Sequence, residues 1–502
     1  MASTQLFRIG IPASATALGT ILWHDHYADE GKKRAIKAYS AFGKPILHYR
    51  YLEWKNKSIS PVSNEEWENV DKIYAAPTVD RLGELQGMYA KYGQTAAGMT
   101  NTFGDAWITE LRRLENSLPP KSVETVYKTI EEETGKEVHE TFSYFDPIPL
   151  GCASIGQVHR AILKKDGREV AVKVQYHNAQ ELFLNDIDTI RSFCEILAPE
   201  QIVTLDALEK QNRLELDYVN EANNLIEITS NMKRQGLFPN HVVVPQPVKE
   251  LCTKRLLVMD LIPGSKLIDG IQAYYSKWAE ENGTTLKQLE ADAKEKIEKE
   301  GIPAKYDGPS ASQMDKYIKW LRLKNVVINS GITVYNQTLA RKQPIPYRET
   351  ILPPNIPRII DMLMQVHGKQ LLVDGVFNAD PHGGNFLLLP DGRIGLIDYG
   401  ATKRLTENER ITACVLYAAL ARGDKEILCD MCDIGGYRSK YGNKEVLYKL
   451  MQFGYDSWGN DVTEGKNVQQ FIDDLKKTDP WEAVPDNFGK FLSRVIQFHF
   501  LL

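Results

Sequence analysis

The sequence predicts an α+β chain with a small β-rich N-terminal lobe, a mostly helical C-terminal lobe and a helical extension ahead of both. Three observations carry that prediction. Gly156 to Leu163 and Glu169 to Val174 are strand-like runs separated by Lys164-Lys165-Asp166-Gly167, the pattern of a β-hairpin. Residues 31 to 135 show a helical pattern. Far downstream, Phe377-Asn378-Ala379-Asp380-Pro381-His382-Gly383-Gly384-Asn385 is followed, thirteen residues on and after an apolar stretch, by Asp398-Tyr399-Gly400.

Composition sets outer limits. With 502 residues, 43% hydrophobic and 25% charged, the chain can bury a large core and form two lobes plus extensions. The expected divisions are 1–30, a helical extension 31–135, an N-lobe 136–262 and a C-lobe 263–502 with an insert at about 270–355. A net charge of −5 carries no footprint of nucleic-acid binding. The six cysteines are scattered, which suits a reducing compartment. Cys429 and Cys432 lack a second pair nearby and read as two cysteines on one helix rather than a zinc or redox site.

In residues 1–30 the first acid is Asp25, and an apolar run from Ile9 to Trp23 is shorter than the roughly 20 residues that span a bilayer. This reads as an organelle-targeting segment, with a weak membrane anchor or a disordered start as alternatives. His24-Asp25-His26 reads as solvated. In the extension, Arg34 to Leu52 is basic and aromatic, and Val79 to Thr102 carries Lys91-Tyr92-Gly93-Gln94. Pro119-Pro120 precedes a helix from about Ser122 to Thr134, where Ser122 and Glu124 favour a start. Val242 to Pro245 and Arg255 to Asp260 read as further N-lobe strands. In the insert, Leu286, Leu289, Ala293 and Ile297 mark a solvated, charge-alternating helix. Phe488, Phe491, Leu492, Val495 and Ile496 form an apolar face near the last residues.

The chemistry lies in spacing. A phosphoryl-transfer site of the kinase type needs an aspartate near the acceptor oxygen, an asparagine five residues later that holds a metal, and a second aspartate after a strand for the metal that bridges nucleotide phosphates. Asp380, Asn385 and Asp398 fit those slots. Each motif alone also fits ordinary turn chemistry, so a phosphate-binding lysine upstream decides the matter. Lys173, in Val170-Ala171-Val172-Lys173, matches the strand lysine of kinases. Such a lysine needs a carboxylate to hold it. The stretch Glu215 to Asn224 reads as one helix, on which Glu215 and Glu221 point about 120° apart and cannot serve one partner. Glu221 is assigned to Lys173, leaving Glu215 for another lysine, with Lys91 as the candidate. A Gly-x-Gly-x-x-Gly loop and a Walker-type Gly-Lys-Ser/Thr are both missing, which argues against an ordinary protein kinase and a P-loop enzyme. Asn378-Ala379 replaces the His-Arg pair that precedes the catalytic aspartate of ordinary kinases, and Ala198 to Glu200 lies upstream of Asp380, where it cannot anchor a peptide-binding loop.

On these residues the chain resembles the UbiB, or aarF-domain, family of atypical kinase-like proteins, within its mitochondrial and plastid branch. Lys91, Gly93 and Gln94 match the Lys-x-Gly-Gln signature, Pro149 to Ala161 the nucleotide loop, and Glu215, Asp217 and Glu221 the Glu-x-Asp helix. Asp380 to Asn385 and Asp398 to Gly400 match the catalytic and metal loops. The resemblance implies a bilobal protein-kinase-like fold that binds ATP or ADP with Mg2+. Gly151, Cys152, Ala153, Ser154, Lys173 and Met259 would bind nucleotide, with Met259 to Ile262 as the hinge. Asp380, Lys173 and Glu221 would be catalytic, Asn385 and Asp398 would hold metal, and Lys91, Gln94, Glu215 and Asp217 would regulate. The family's loop is usually rich in alanine; here Gly151-Cys152-Ala153-Ser154 has glycine, which lets backbone approach phosphates more closely. Gly383 stands where the family usually has proline, and Tyr399 is the middle residue of the metal motif.

The expected activity is an ATPase or a small-molecule or lipid kinase supporting lipid or quinone metabolism in the mitochondrion at its inner membrane, or in a plastid. Its expected partners are a nucleotide, a lipid or quinone ligand and a membrane surface. A choline- or aminoglycoside-type kinase and a nucleotide-switched scaffold are the alternatives.

Overall fold

The computed structural model describes residues 30–97, 104–116, 120–153, 155–197, 202–300, 308–338, 343–348, 352–379, 383–455, 460–464 and 468–483. The readings of residues 1–29, of Ala198 to Glu200 and of Phe488 onward fall outside them. The chain divides into two compact units, Met1–Ala222 with Pro247–Leu261 and Asn223–Gln246 with Ile262–Leu502.

The first unit opens with α1 (Glu30–Ser58), α2 (Asn64–Leu85) and α3 (Gly87–Ala97), then α4 (Asp105–Leu111) and α5 (Arg113–Asn116). Ser63 starts α2 with a capping box: its hydroxyl accepts from the Glu66 N–H, and the Glu66 carboxylate accepts from the Ser63 N–H. The helical pattern read over 31–135 is interrupted between α2 and α3 at Gln86 and Gly87, both with φ of 55°. The cause is local crowding as well as backbone freedom. A Cβ at Gly87 would lie 2.9 Å from Asp186 Oδ2, and Asp186 is held by Arg34 of α1 through two bonds of 2.9 and 2.7 Å. Ala38, Val79, Leu82, Leu85, Tyr89 and Leu111 form the core of this helical part.

The unit continues with α6 (Val123–Thr134) and α7 (Val138–Thr141), and then β1 (Phe142–Phe145), β2 (Gly151–Cys152), β3 (Gly156–Leu163) and β4 (Glu169–Gln175). α8 (Ala179–Leu197), α9 (Ile202–Glu215) and the first turn of α10 (Tyr218–Arg234) follow; α10 from Asn223 on and β5 (Val242–Val243) belong to the second unit, and β6 (Leu256–Asp260) completes the first. The helix predicted around Ser122 to Thr134 and the predicted hairpin are both present. The antiparallel sheet runs β1-β3-β4-β6, with β2 also on β3. Alternation divides β4 into two faces. Val170, Val172 and Val174 pack with Val126 and Ile130 of α6 and with Leu256 and Val258 of β6. Ala171 and Lys173 take the opposite face, and register sets Val158 and Leu257 beside Lys173 and Met259 beside Ala171.

One expected N-lobe strand belongs elsewhere. Val242 and Val243 belong to the second unit, where they pair in parallel with Ile394 and Gly395, because β4 already has β3 and β6 on its two edges, and Pro245 lacks the N–H needed to extend the strand.

The second unit contains β7 (Ser265–Lys266), α11 (Leu267–Glu281), α12 (Leu286–Glu300), α13 (Ala311–Thr338) and α14 (Ile356–Lys369), which continues as a π-helical turn over Gln370–Asp374. α12 is the charge-alternating helix the sequence predicts; its described polar side chains are exposed, with Leu286 and Leu289 half-buried. Then come β8 (Val376–Asn378), β9 (Phe386–Leu388), β10 (Ile394–Leu396), β11 (Thr402–Arg404), α15 (Glu407–Arg422), α16 (Lys425–Ile434) and α17 (Lys444–Tyr455). Strands β5-β10-β9-β7 form one sheet, and β8 pairs with β11. Cys429 and Cys432 lie buried on α16, with Cys432 Sγ 3.5 Å from Met451 Sδ inside an apolar core. Among the described residues, no helix is long and apolar enough to cross a membrane.

His367 of α14 is buried, edge-on to Phe386 with ring centroids 6.0 Å apart. Burial lowers its pKa to about 4, below the roughly 6.5 of an unfolded histidine. The unfolded chain therefore binds the extra proton between those values, and the folded chain does not. Stability is full above about pH 6.5 and falls by up to about 3 kcal/mol as pH drops towards 4. Urea unfolding of wild type and His367→Phe at pH 7 and 4.5 should show a smaller acid loss in the variant; equal losses would refute the assignment.

Candidate functional site

In the first unit the site is built around Lys173. Its Nζ donates to both carboxylate oxygens of Glu221, at 2.9 and 2.8 Å, and lies 5.2 Å from the centroid of the Tyr218 ring. Side-chain exposures of 10% and 2% leave this pair almost out of water, where neither ion is tolerable without the other. The helix that supplies Glu221 differs from the one expected. Glu215 to Asn224 is not continuous: α9 ends at Glu215 and α10 begins at Tyr218. Asp217 lies in the break, where its Oδ1 accepts from the Val219 N–H at 3.0 Å and its carbonyl from the Glu221 N–H at 3.4 Å. A short polar side chain that satisfies free N–H groups is what starts a helix, so Asp217 sets the phase of α10 and with it the direction of Glu221.

Glu215, at the end of α9, forms an ion pair with Lys91 of α3, and both side chains are mostly buried. The expected separation of the two acids is therefore found, though its cause is two helices and not two faces of one. The rest of the Lys-x-Gly-Gln motif packs locally. A Cβ at Gly93 would come within 2.4 Å of a Leu114 methyl, and Gln94 Nε2 donates to the Leu114 carbonyl at 2.8 Å.

The nucleotide-loop segment is a hairpin arm. Gly151 and Cys152 pair with Val158 and Gln157, and the Ala153 N–H reaches the Gly156 carbonyl at 2.7 Å. A Cβ at Gly156 would collide with the Val174 carbonyl at 2.5 Å, whereas one at Gly151 would meet nothing within 4 Å. Gly156 is thus needed for packing, and Gly151 leaves open space at the loop. Ser154 lies outside the described residues. Met259 is buried on the same sheet face as Ala171 and Lys173.

In the second unit, Asn385 and Asp398 flank the β9–β10 hairpin, and register brings them to the same end of it. Phe386 pairs with Leu396, and the Ile397 N–H donates to the Asn385 carbonyl at 3.2 Å. Together they offer a carboxamide and a carboxylate oxygen, donors of the hard kind that Mg2+ takes while keeping several waters. Asp380, Pro381 and His382 fall outside the described residues; the strand before them ends with the Ala379 N–H on the Ala401 carbonyl at 2.7 Å.

Four residues that the sequence reading did not assign to the site fix the Asp398-Tyr399-Gly400 turn. Asn378 Nδ2 donates to the Asp398 carbonyl at 2.7 Å, and Asn224 Nδ2 to the Tyr399 carbonyl at 2.9 Å. Thr402 Oγ1 donates to the same Tyr399 carbonyl at 2.6 Å, and Gln370 Nε2 to the buried Tyr399 hydroxyl at 2.7 Å. Asp398 Oδ1 itself accepts from the Gly400 N–H at 3.0 Å. Arg404 holds Asn224 in turn, donating to its Oδ1 at 2.8 Å. The only local signal for these contacts was the Asn378-Ala379 replacement of the usual His-Arg pair.

The ABC1 atypical kinase-like domain matches residues 113–300 and 353–432. Mouse AarF domain-containing protein kinase 1 (Mus musculus) is 27% identical over 451 residues, covering 86% of this chain and 68% of its own length. A probable serine/threonine-protein kinase, abkA of Dictyostelium discoideum, is 32% identical over 211 residues, 39% of this chain and 37% of that one. The chloroplastic protein ACTIVITY OF BC1 COMPLEX KINASE 1 of Arabidopsis thaliana is 24% identical, over 78% of this chain and 45% of its own. The chain thus spans about two thirds of the mouse relative and less than half of the other two. Among solved structures, the complex of Rv3197 with erythromycin from Mycobacterium tuberculosis overlaps 88% of this chain and 95% of its own, at 20% identity and a TM-score of 0.41.

The Lys173–Glu221 pair makes a direct prediction. Glu221→Ala strands a buried ammonium and should cost about 3 kcal/mol in urea unfolding. Lys173→Met with Glu221→Leu, which removes both ions and keeps bulk, should recover most of that loss. A double variant as unstable as the single one would show that the loss comes from packing and not from the unpaired charge.

Proposed function

The chain belongs to the ABC1 atypical kinase-like family, and from that membership we propose that it binds ATP or ADP with Mg2+ and acts as an ATPase or as a kinase for a small molecule or lipid. The observation that carries this reading is the buried Lys173–Glu221 pair: an ammonium held at a fixed point by a dedicated carboxylate is the arrangement that kinase-type sites use on nucleotide phosphates. In this reading Lys173 binds phosphate oxygens together with Gly151, Cys152, Ala153 and Ser154, with the open space at Gly151 allowing close approach. Val158, Ala171 and Met259, on the same sheet face, supply the apolar surface for a base. Asn385 and Asp398 fit Mg2+ by their oxygen donors, and the ion would offset phosphate charge when bound. Asp380 orients the acceptor oxygen and takes its proton.

A lipid or quinone-type acceptor is preferred over a protein. Between Gly400 and α15 lies only a short stretch that includes β11, which leaves little chain for a peptide-docking platform. Relatives carry the name protein kinase, and that naming describes those proteins. The organellar setting, mitochondrial or plastid, rests on the family resemblance.

Asp398→Asn tests the reading, because a carboxamide oxygen still accepts from the Gly400 N–H while the charge is lost. Titration calorimetry with ATP or ADP should show Mg2+-dependent binding in the wild type, at least about 10-fold weaker in the variant. Equal affinities, or binding indifferent to Mg2+, would overturn it.

A further inference from the structure

The first unit contains a cavity of about 180 Å³, away from the face that carries Lys173. Its walls are the α2–α3 junction, α1, Lys121 and the first residues of α8. Arg34, Lys37, Arg81 and Lys121 all line it, against Glu84 as the one acidic residue. Arg34 is neutralised by Asp186 and Arg81 by Glu84. Lys37 and Lys121 have no carboxylate partner among the described residues, so the cavity keeps about two uncompensated positive charges.

The other features of the cavity suit a ligand. Lys121 is fixed from behind: its N–H donates to the buried Gln157 at 2.9 Å, and its carbonyl accepts from the same side chain at 3.2 Å. Its Nζ lies 5.8 Å from the centroid of the Tyr176 ring. Tyr176 also lines the cavity and is 8% exposed, yet its hydroxyl has no hydrogen-bond partner among the described residues. Such a group carries a standing desolvation penalty unless something accepts from it. Asn178 and Ala179 add the opening of the 19-residue α8, whose dipole favours an anion. The remaining wall, including Met88 and Phe183, is apolar. The volume is close to that of a cavity known to hold a benzene-sized molecule.

We propose that this cavity binds a small organic phosphate, its phosphoryl oxygens on Lys37, Lys121 and the Tyr176 hydroxyl and its carbon portion against Met88 and Phe183. The ligand would press on two parts described above. Ile155, within the nucleotide-loop segment, and Met88, one turn before Lys91, both line the cavity. Occupancy would therefore stiffen the loop and the Lys-x-Gly-Gln helix together.

The test uses the full chain in Mg2+-free buffer with phenyl phosphate, benzoate and inorganic phosphate as probes in titration calorimetry. Phenyl phosphate should bind at least about 10-fold more tightly than either of the others, which isolates the organic phosphate from the bare anion and from a carboxylate. Lys37→Ala combined with Lys121→Ala should weaken it at least about 10-fold with an unchanged unfolding midpoint, both side chains being at the surface. Tyr176→Phe should weaken it several-fold while leaving the unfolding midpoint equal or higher, because the unpaired hydroxyl is removed. Asp398→Asn should bind as wild type does, which separates this site from the nucleotide site. Inorganic phosphate or benzoate binding as tightly as phenyl phosphate, affinity indifferent to the paired lysine variant or to Tyr176→Phe, or loss of binding in Asp398→Asn would each overturn the proposal.

Discussion

The first unit is organised around one electrostatic constraint: Lys173 and Glu221 are out of water together. Removing an ammonium and a carboxylate from solvent costs several kcal/mol per ion, which only close, well-directed contact offsets. That contact depends on features far apart in sequence. β4 must be paired on both edges so that its second face is sheltered, α10 must start at the right residue, and Gly156 must lack a side chain so that β3 can approach Val174 and Tyr218. The cap at Asp217 is the hinge of this arrangement, because a helix started one residue away would turn Glu221 by about 100°. The same break frees Glu215 to meet Lys91, so the extension is tied to the sheet-bearing part of the unit by a second, more exposed ion pair.

Much of this was legible in the sequence because it is written in local chemistry. The two strand-like runs around Lys164 to Gly167 marked the β3–β4 hairpin, and Pro120, Ser122 and Glu124 marked the start of α6. The errors have physical causes. Reading Glu215 to Asn224 as one helix overlooked how well Asp217 caps. Val242 was placed in the wrong sheet because parallel pairing with a strand some hundred and fifty residues later leaves no local trace. The same holds for Asn224, which holds a carbonyl 175 positions away: a carboxamide on a backbone oxygen has neither periodicity nor a charge partner to reveal it.

The Lys-x-Gly-Gln motif combines one electrostatic and two mechanical tasks. Lys91 makes the ion pair, while Gly93 and Gln94 both act on Leu114, one by absence and one by hydrogen bond. A helix that must lie close to its neighbour while directing a lysine at a fixed acid needs all three. This explains why the motif reads as a unit although only one of its members is charged.

The turn that carries Asp398 is held through Asn378, Asn224, Thr402 and Gln370. All four are neutral amides or hydroxyls, and none takes up or loses a proton between strong acid and strong alkali. The scaffold of the metal-facing loop is therefore insulated from proton activity. Acid or alkali that leaves the fold intact therefore leaves these four contacts intact, and the position of the loop answers to the integrity of the fold alone.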